Sequence, residues 1–187
     1  CKFIYMSSAR VYGVQSQRIT EETPIRPQGP YAEEKLEMEK SIMESFDPYS
    51  LLRITSPYGV RQKTRNVLKL FMDQALAGKP LQYHGNGTRE QDFIAAEDVG
   101  RAVVCAIKNA EAAGVFTIAS GTPVTMRELA LLIKDTAGMN SIVVGPSGKP
   151  DDQEGALARF GISRAASLLG WQPQVALKDG IAAWMRE

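Results

Sequence analysis

The sequence predicts an α/β protein, a doubly wound parallel sheet with a smaller lobe appended. Three observations carry this. An apolar run at Lys2–Met6, an amphipathic segment at Pro30–Phe46 and a second apolar run at Tyr49–Ile54 have the order and spacing of one βαβ unit. Strand-like and helix-like segments then keep alternating to the C-terminus. Finally, no internal repeat or low-complexity tract interrupts the pattern.

The elements follow in order. The first strand runs into Ser7-Ser8-Ala9-Arg10 and a loop at 15–30 rich in Pro, Thr and Gln. The helix after it stops near Phe46-Asp47-Pro48, where proline forbids continuation. The second strand is closed by Ser56-Pro57-Tyr58-Gly59. Asn66–Leu76 reads as a helix stopped by Gly78 and Pro80, Leu81–Tyr83 as a short strand, and Phe93-Ile94 as another. Glu97 and Asp98 place negative charge at the start of a helix reaching about Asn109 and are read as its cap. Val115–Ala119 is a strand. Thr125-x-x-Glu128 is a capping box opening a helix that Gly138 ends. A strand at Ile142–Val144, a short helix at Ser163–Leu169 stopped by Gly170, and a last helix at Leu177–Trp184 complete the pattern.

Composition bounds the function. Hydrophobic content of 44%, charged content of 23% and a net charge of +1 describe an ordinary globular chain with no field for nucleic acid or an anionic membrane surface. No apolar stretch approaches a membrane span and none reads as a secretory signal, so the expectation is a cytoplasmic protein. Two cysteines make no disulfide framework, and a single histidine without a cysteine cluster makes no zinc site. His84 beside a turn is read as a surface residue, Trp171, Trp184 and Cys105 as packing residues.

The amphipathic helix carries the chemistry. At 100° per residue, Met38, Tyr31, Ile42, Lys35, Phe46, Glu39, Ala32, Met43 and Leu36 fall on one arc, which places Lys35 near the middle of the face expected to be buried. One reading is structural: the lysine stem snorkels and Glu39 pairs with it at i,i+4. The other is chemical: a desolvated ammonium beside a phenol favours the phenolate, so Tyr31 and Lys35 together form a proton-transfer unit. Ser8, at the carboxyl end of the preceding strand, could then donate a hydrogen bond in the same cleft.

"SSARVYG" (7–13), "PYAEEK" (30–35) and "LLRITSPYG" (51–59), followed by "GNGTREQDFIAAEDV", "FTIASG", "LLGWQP" and "LKDGIAAW", resemble the extended short-chain dehydrogenase/reductases of the nucleotide-sugar epimerase/dehydratase family, in that family's order. The resemblance implies the C-terminal part of a Rossmann-type sheet with a small α/β substrate lobe. Residues 1–60 would be the last βαβ part of the NAD-binding domain. Residues 61–187 would be mainly the substrate lobe, with about 92–119 returning to the Rossmann side. It implies Tyr31 as the catalytic acid/base, Lys35 holding the nicotinamide ribose hydroxyls, Ser8 donating to the reacting sugar hydroxyl, and Thr55 touching the nicotinamide end of the cofactor. Ser56 and Asn66 fall at positions that contact the sugar nucleotide. The cofactor would be NAD, with NADP as the variant.

The departures are specific. The glycine-rich phosphate loop, which the family carries roughly a hundred residues ahead of the tyrosine, is not in this sequence. The chain is therefore expected to be part of a longer enzyme, by itself inactive and poorly stable. Ala9-Arg10 stands where 4,6-dehydratases resemble Asp-Glu, and Arg10 where decarboxylases of the family carry glutamate. Dehydration and decarboxylation are thereby disfavoured. Ser56 replaces the usual Asn, and Gln91 a diphosphate-binding arginine for which Arg89 could substitute. The expectation is an NAD-dependent epimerase oxidising a nucleotide sugar transiently at C4, a homodimer in its full-length form. A keto-sugar reductase and a non-catalytic binding protein of the same fold are the alternatives.

Overall fold

The computed structural model describes residues 1–186. Its elements are β1 (Phe3–Ser8), a 3-10 turn (Ala9–Tyr12), α1 (Pro30–Ser45), β2 (Tyr49–Ile54), β3 (Ser56–Tyr58), α2 (Val67–Leu76), β4 (Leu81–Tyr83), β5 (Glu90–Gln91), β6 (Phe93–Ala95) and α3 (Ala96–Lys108). They continue with β7 (Gly114–Ile118), β8 (Val124–Thr125), α4 (Met126–Thr136), β9 (Val144–Pro146), a π-helical turn (Ala165–Leu169) and α5 (Leu177–Met185). Strands β1, β2 and β7 form a parallel sheet with β2 in the middle. Ser8 lies opposite Ile54, and Ile54 opposite Ile118, so the carboxyl ends of all three strands finish level. The α/β class and the parallel βαβ unit are as the sequence predicts.

The outer lobe is built from short pairs: β3 with β6 and β4 with β9 in parallel, β5 with β8 antiparallel. Its core packs Leu68, Phe71 and Met72 of α2 against Leu129 and Ile133 of α4, with Ile181 of α5. A second core packs the sheet residues Leu52, Phe116 and Ile118 against Val99 and Ala102 of α3 and against Trp171. Sequence periodicity misses β3, β5 and β8, because two or three residues hold no period. The strand expected at Ile142–Val144 is displaced to Val144–Pro146. The Ile142 side chain is drawn into the outer core while its N–H closes a turn on Met139 O, so ladder pairing starts two residues later. The helix expected at Ser163–Leu169 is wound as a π turn, ended by Gly170 at φ 66°.

Glu97 and Asp98 lie in the first turn of α3, yet Asp98 is more than a helix cap. It is fully buried, accepts from the backbone N–H groups of Gln174 (2.8 Å) and Val175 (3.0 Å), and pairs with Arg101. It thus ties the segment after Trp171 to α3. At the other end of α3, the Lys2 ammonium donates to the carbonyls of Ala106 (2.9 Å), Asn109 (2.8 Å) and Ala112 (2.6 Å), gathering the helix C-terminus and the start of β1 at one cation.

Helix α1 corrects the helical wheel. Its buried residues are Ala32, Glu39 and Ile42, while Tyr31, Met38, Met43 and Phe46 are exposed. Strand β1 is the outermost of the described sheet and its own Met6 is half exposed. The large apolar side chains of α1 therefore lack full cover among the described residues. Glu39 does not pair with Lys35. Its carboxylate, with no exposure at all, receives Arg53 Nε (3.0 Å) and Nη2 (2.6 Å) from β2 and Ser7 Oγ (2.5 Å) from β1. Arg53 also donates through Nη1 to the Tyr12 hydroxyl at 2.9 Å and lies over that ring.

Removing one partner of this pair strands a buried charge. Arg53→Met is expected to cost about 3–5 kcal/mol in urea unfolding, and Arg53→Met/Glu39→Leu to recover most of that loss. In the outer lobe, a Cβ on Gly180 would run into the Tyr58 phenol, whose buried hydroxyl has no hydrogen-bond partner and whose ionisation burial pushes well above the usual phenol range. Gly180→Ala should lower stability by about 1–3 kcal/mol, seen as a fall in Tm, whereas Tyr58→Phe should cost nothing.

Candidate active site

A cavity of about 900 Å³ opens where the carboxyl ends of β1 and β2 meet the outer lobe. Its walls include Ser8, Tyr31, Thr55, Ser56, Asn66 and Arg89, so the structure brings six of the seven sequence-derived site residues to one space. Ser8 caps the 3-10 turn: its Oγ accepts the Arg10 N–H at 3.2 Å, which leaves the hydroxyl proton free to be donated. Tyr31 stands in the first turn of α1 with an exposed phenol. Asn66 caps α2 through Oδ1, which accepts from Lys69 N at 2.9 Å and leaves both amide N–H groups for a ligand.

Lys35 lies one turn behind Tyr31. Its ammonium donates to Met6 O at 3.0 Å, sits 4.7 Å from the Tyr5 ring centroid and 6.0 Å from that of Tyr31. One of its three protons is used on the backbone, and two remain. That donor set fits vicinal ribose hydroxyls beside the phenol, at the edge of the sheet.

Several contributions escape the sequence reading. Arg10, Arg61 and Arg65 also line the cavity, and none of their guanidinium groups makes an ion pair or hydrogen bond among the described residues. Arg61 is the one non-glycine residue described with positive φ, at 66°. Arg89 does reach the cavity but is shared: its Nε donates to Asp151 at 2.8 Å, and against the opposing effect of partial burial the Gln153 N–H and then Arg89 hold the Asp151 carboxyl below the ordinary range. Gln91 is not idle, since its Nε2 donates to Ser56 Oγ at 2.7 Å. A strap, residues 151–160, joins two walls. Leu157 and Phe160 bridge to Gln15 and Ile19, while Glu154 accepts from the N–H groups of Asn86 (2.8 Å) and Thr88 (3.4 Å). His84 is exposed beside Ser147 and outside the cavity lining, as expected of a surface residue.

Both carboxylates in the wall are committed. Glu90 takes Arg159 at 2.8 Å and the Ala158 N–H at 3.2 Å. Asp92, 1% exposed, accepts from Thr55 Oγ1 (2.7 Å), Ser120 N (2.9 Å), Ser120 Oγ (2.8 Å) and Gly121 N (2.9 Å), with no cation in contact. Thr55, its proton given to Asp92, offers only lone pairs to the cavity. Burial without a counter-charge raises the Asp92 carboxyl, and the four donors offset this only in part. Its contribution to stability is therefore largest below the ordinary carboxylate range and is lost as pH rises through the raised value. Asp92→Asn sets an amide NH₂ against a backbone N–H, of Ser120 or Gly121, that cannot accept, and should cost about 1–3 kcal/mol. Chemical denaturation should show the wild-type advantage to be larger near about pH 4 than near about pH 7.

Comparison with known proteins agrees with this fold. The family model described as NAD dependent epimerase/dehydratase family matches residues 1–119. A UDP-glucose 4-epimerase of Mycolicibacterium smegmatis is 31% identical over 198 residues, covering 97% of this chain and 60% of that protein. A human dTDP-D-glucose 4,6-dehydratase is 27% identical, covering 100% of this chain and 57% of that protein. Among solved structures, a UDP-glucose 4-epimerase of Thermotoga maritima with UDP-glucose superposes with TM-score 0.85 at 26% identity, covering 99% of this chain and 62% of that one. A UDP-glucuronic acid 4-epimerase of Bacillus cereus, in complex with UDP-glucuronic acid and NAD, gives 0.84 at 27% identity, with 99% and 61% covered. The chain thus spans about 60% of the length of the relatives it matches. From the family match over residues 1–119, which takes in all three strands of the parallel sheet, the chain belongs to the NAD-dependent epimerase/dehydratase family.

Proposed function

We propose that the whole protein is an NAD-dependent nucleotide-sugar epimerase that acts by transient oxidation at the sugar C4. The observation that carries this is the cavity wall itself. Ser8 and Tyr31 face one space with Lys35 behind them, three unpartnered guanidinium groups line it, and both wall carboxylates are already bound. Arg61 and Arg65, on the outer-lobe side of this lining, suit a diphosphate. Elimination of water from the sugar needs a free acid and base at the neighbouring carbon. Ala9 and Arg10 supply neither, and Glu90 is held by three protein donor atoms and Asp92 by four, rather than poised for transfer. This favours oxidation and reduction at one carbinol over the dehydratase chemistry named for several relatives.

Within this reading, Tyr31 takes the proton of the C4 hydroxyl and Ser8 donates to the same oxygen. The two spare Lys35 protons hold the nicotinamide ribose. Bound NAD supplies the hydride acceptor and, on return, the donor. Between the two transfers the keto sugar turns over in the cavity, whose volume is within the usual range for a ligand site. Tyr31 then returns the proton.

The test uses the full-length protein with NAD⁺ and UDP-glucose or UDP-galactose. Interconversion of the two sugars without net NADH is the expected result, and Tyr31→Phe should lower kcat by about 10²–10⁴-fold. Consumption of NADPH with a keto sugar would make the protein a reductase instead. Tight cofactor binding with no turnover of any sugar nucleotide would leave a binding protein.

A further inference from the structure

Arg10 is the one cavity cation at the reacting end. Its backbone N–H is bonded to Ser8 Oγ, so its guanidinium lies within one side-chain length of the hydroxyl assigned to the reacting carbinol. The other unpartnered cations, Arg61 and Arg65, follow β3 on the outer-lobe side of the cavity. In a nucleoside diphosphate hexose, the diphosphate is attached at C1 and the C4 carbinol lies across the ring. A cation serving the diphosphate therefore belongs at the C1 end, and Arg10 is at the other. Nor is Arg10 neutralised from the protein side. Glu90 is held by Arg159, Asp92 is buried among its own donors, and Glu154 is turned to the 86–88 backbone.

Resting on the reading above, we propose that Arg10 selects a sugar bearing a carboxylate on C5, so that the substrate is a nucleoside diphosphate uronate rather than a neutral hexose. The C5 carboxylate is carried on the ring atom next to C4. A group that engages C4 through Ser8 thus has that carboxylate within reach of Arg10. The planar guanidinium matches a carboxylate in two parallel hydrogen bonds, which a hydroxymethyl group cannot supply. A neutral hexose would leave Arg10 facing a hydroxyl and would forfeit the charge-assisted pair.

The experiment measures binding and kcat/KM of the full-length, NAD-containing protein for UDP-glucuronate and UDP-glucose side by side. A preference for the uronate of about 10- to 100-fold in kcat/KM, the scale of a charge-assisted pair, is expected. Arg10→Gln should bring that ratio towards one, chiefly through a higher KM and weaker calorimetric binding of the uronate. Arg10→Lys, which keeps charge but loses the bidentate fork, should retain part of it. Turnover of both sugars with UDP-glucose equal or preferred overturns the proposal while leaving the epimerase reading intact. A uronate preference that survives Arg10→Gln also overturns it. Binding and turnover of neither sugar by the wild-type protein overturns both.

Discussion

The arrangement depends on the buried contact between Arg53 and Glu39. Tyr31, Lys35 and Glu39 are spaced four residues apart, so they form one column along α1. Fixing Glu39 to Arg53 in the central strand, and to Ser7 in the neighbouring one, sets the rotation of the helix about its axis. That rotation decides where the other two members of the column point. Lys35 comes to the backbone of β1 at Met6, and Tyr31 to the cavity rim. An apolar contact in place of the pair would hold the helix to the sheet equally well. It would not fix the rotation, because packing among aliphatic side chains has no preferred donor–acceptor direction. The pair also draws Tyr12 against Arg53, and with it the turn that begins at Ser8.

Most of the architecture is legible in the residues. The run Phe3–Met6, the proline at 48 and the second run at 49–54 specify β1–α1–β2, and Thr125-x-x-Glu128 specifies the start of α4 through a capping box that the structure contains. What is not legible are the partners far apart in sequence. A helical wheel reports which residues of α1 are apolar, not which flank meets a neighbour. Met38 and Met43 therefore look buried and are exposed, while Glu39 looks like a mate for Lys35 and instead spans to Arg53. Asp98 resembles a helix cap because its backbone contacts, Gln174 and Val175, lie more than seventy residues on.

The candidate site shows the same division. Ser8, Tyr31, Thr55, Ser56, Asn66 and Arg89 can be chosen from local motifs, and they meet in one cavity. Their hydrogen-bond states cannot be chosen that way. Thr55 becomes an acceptor only because Asp92 takes its proton, and Ser56 is linked to Gln91, a residue that looks like a mere loss when compared with an arginine. Arg61 and Arg65 sit in a segment without periodic pattern, so nothing in the sequence marks them as cavity residues. Their common role is visible only as a charge balance over a shared space.

The two sides of that space are fastened by different physics. On the sheet side, Arg53 and Glu39 are shut away from solvent. On the strap side, Arg159 with Glu90 and Glu154 with the 86–88 backbone are bonds that water and ions can reach. Dissolved salt screens the latter and scarcely touches the former. Ionic strength consequently acts on the strap and leaves the Tyr31–Lys35–Glu39 column in register. The strap is thereby adjustable by its medium without disturbing the alignment of that helix face.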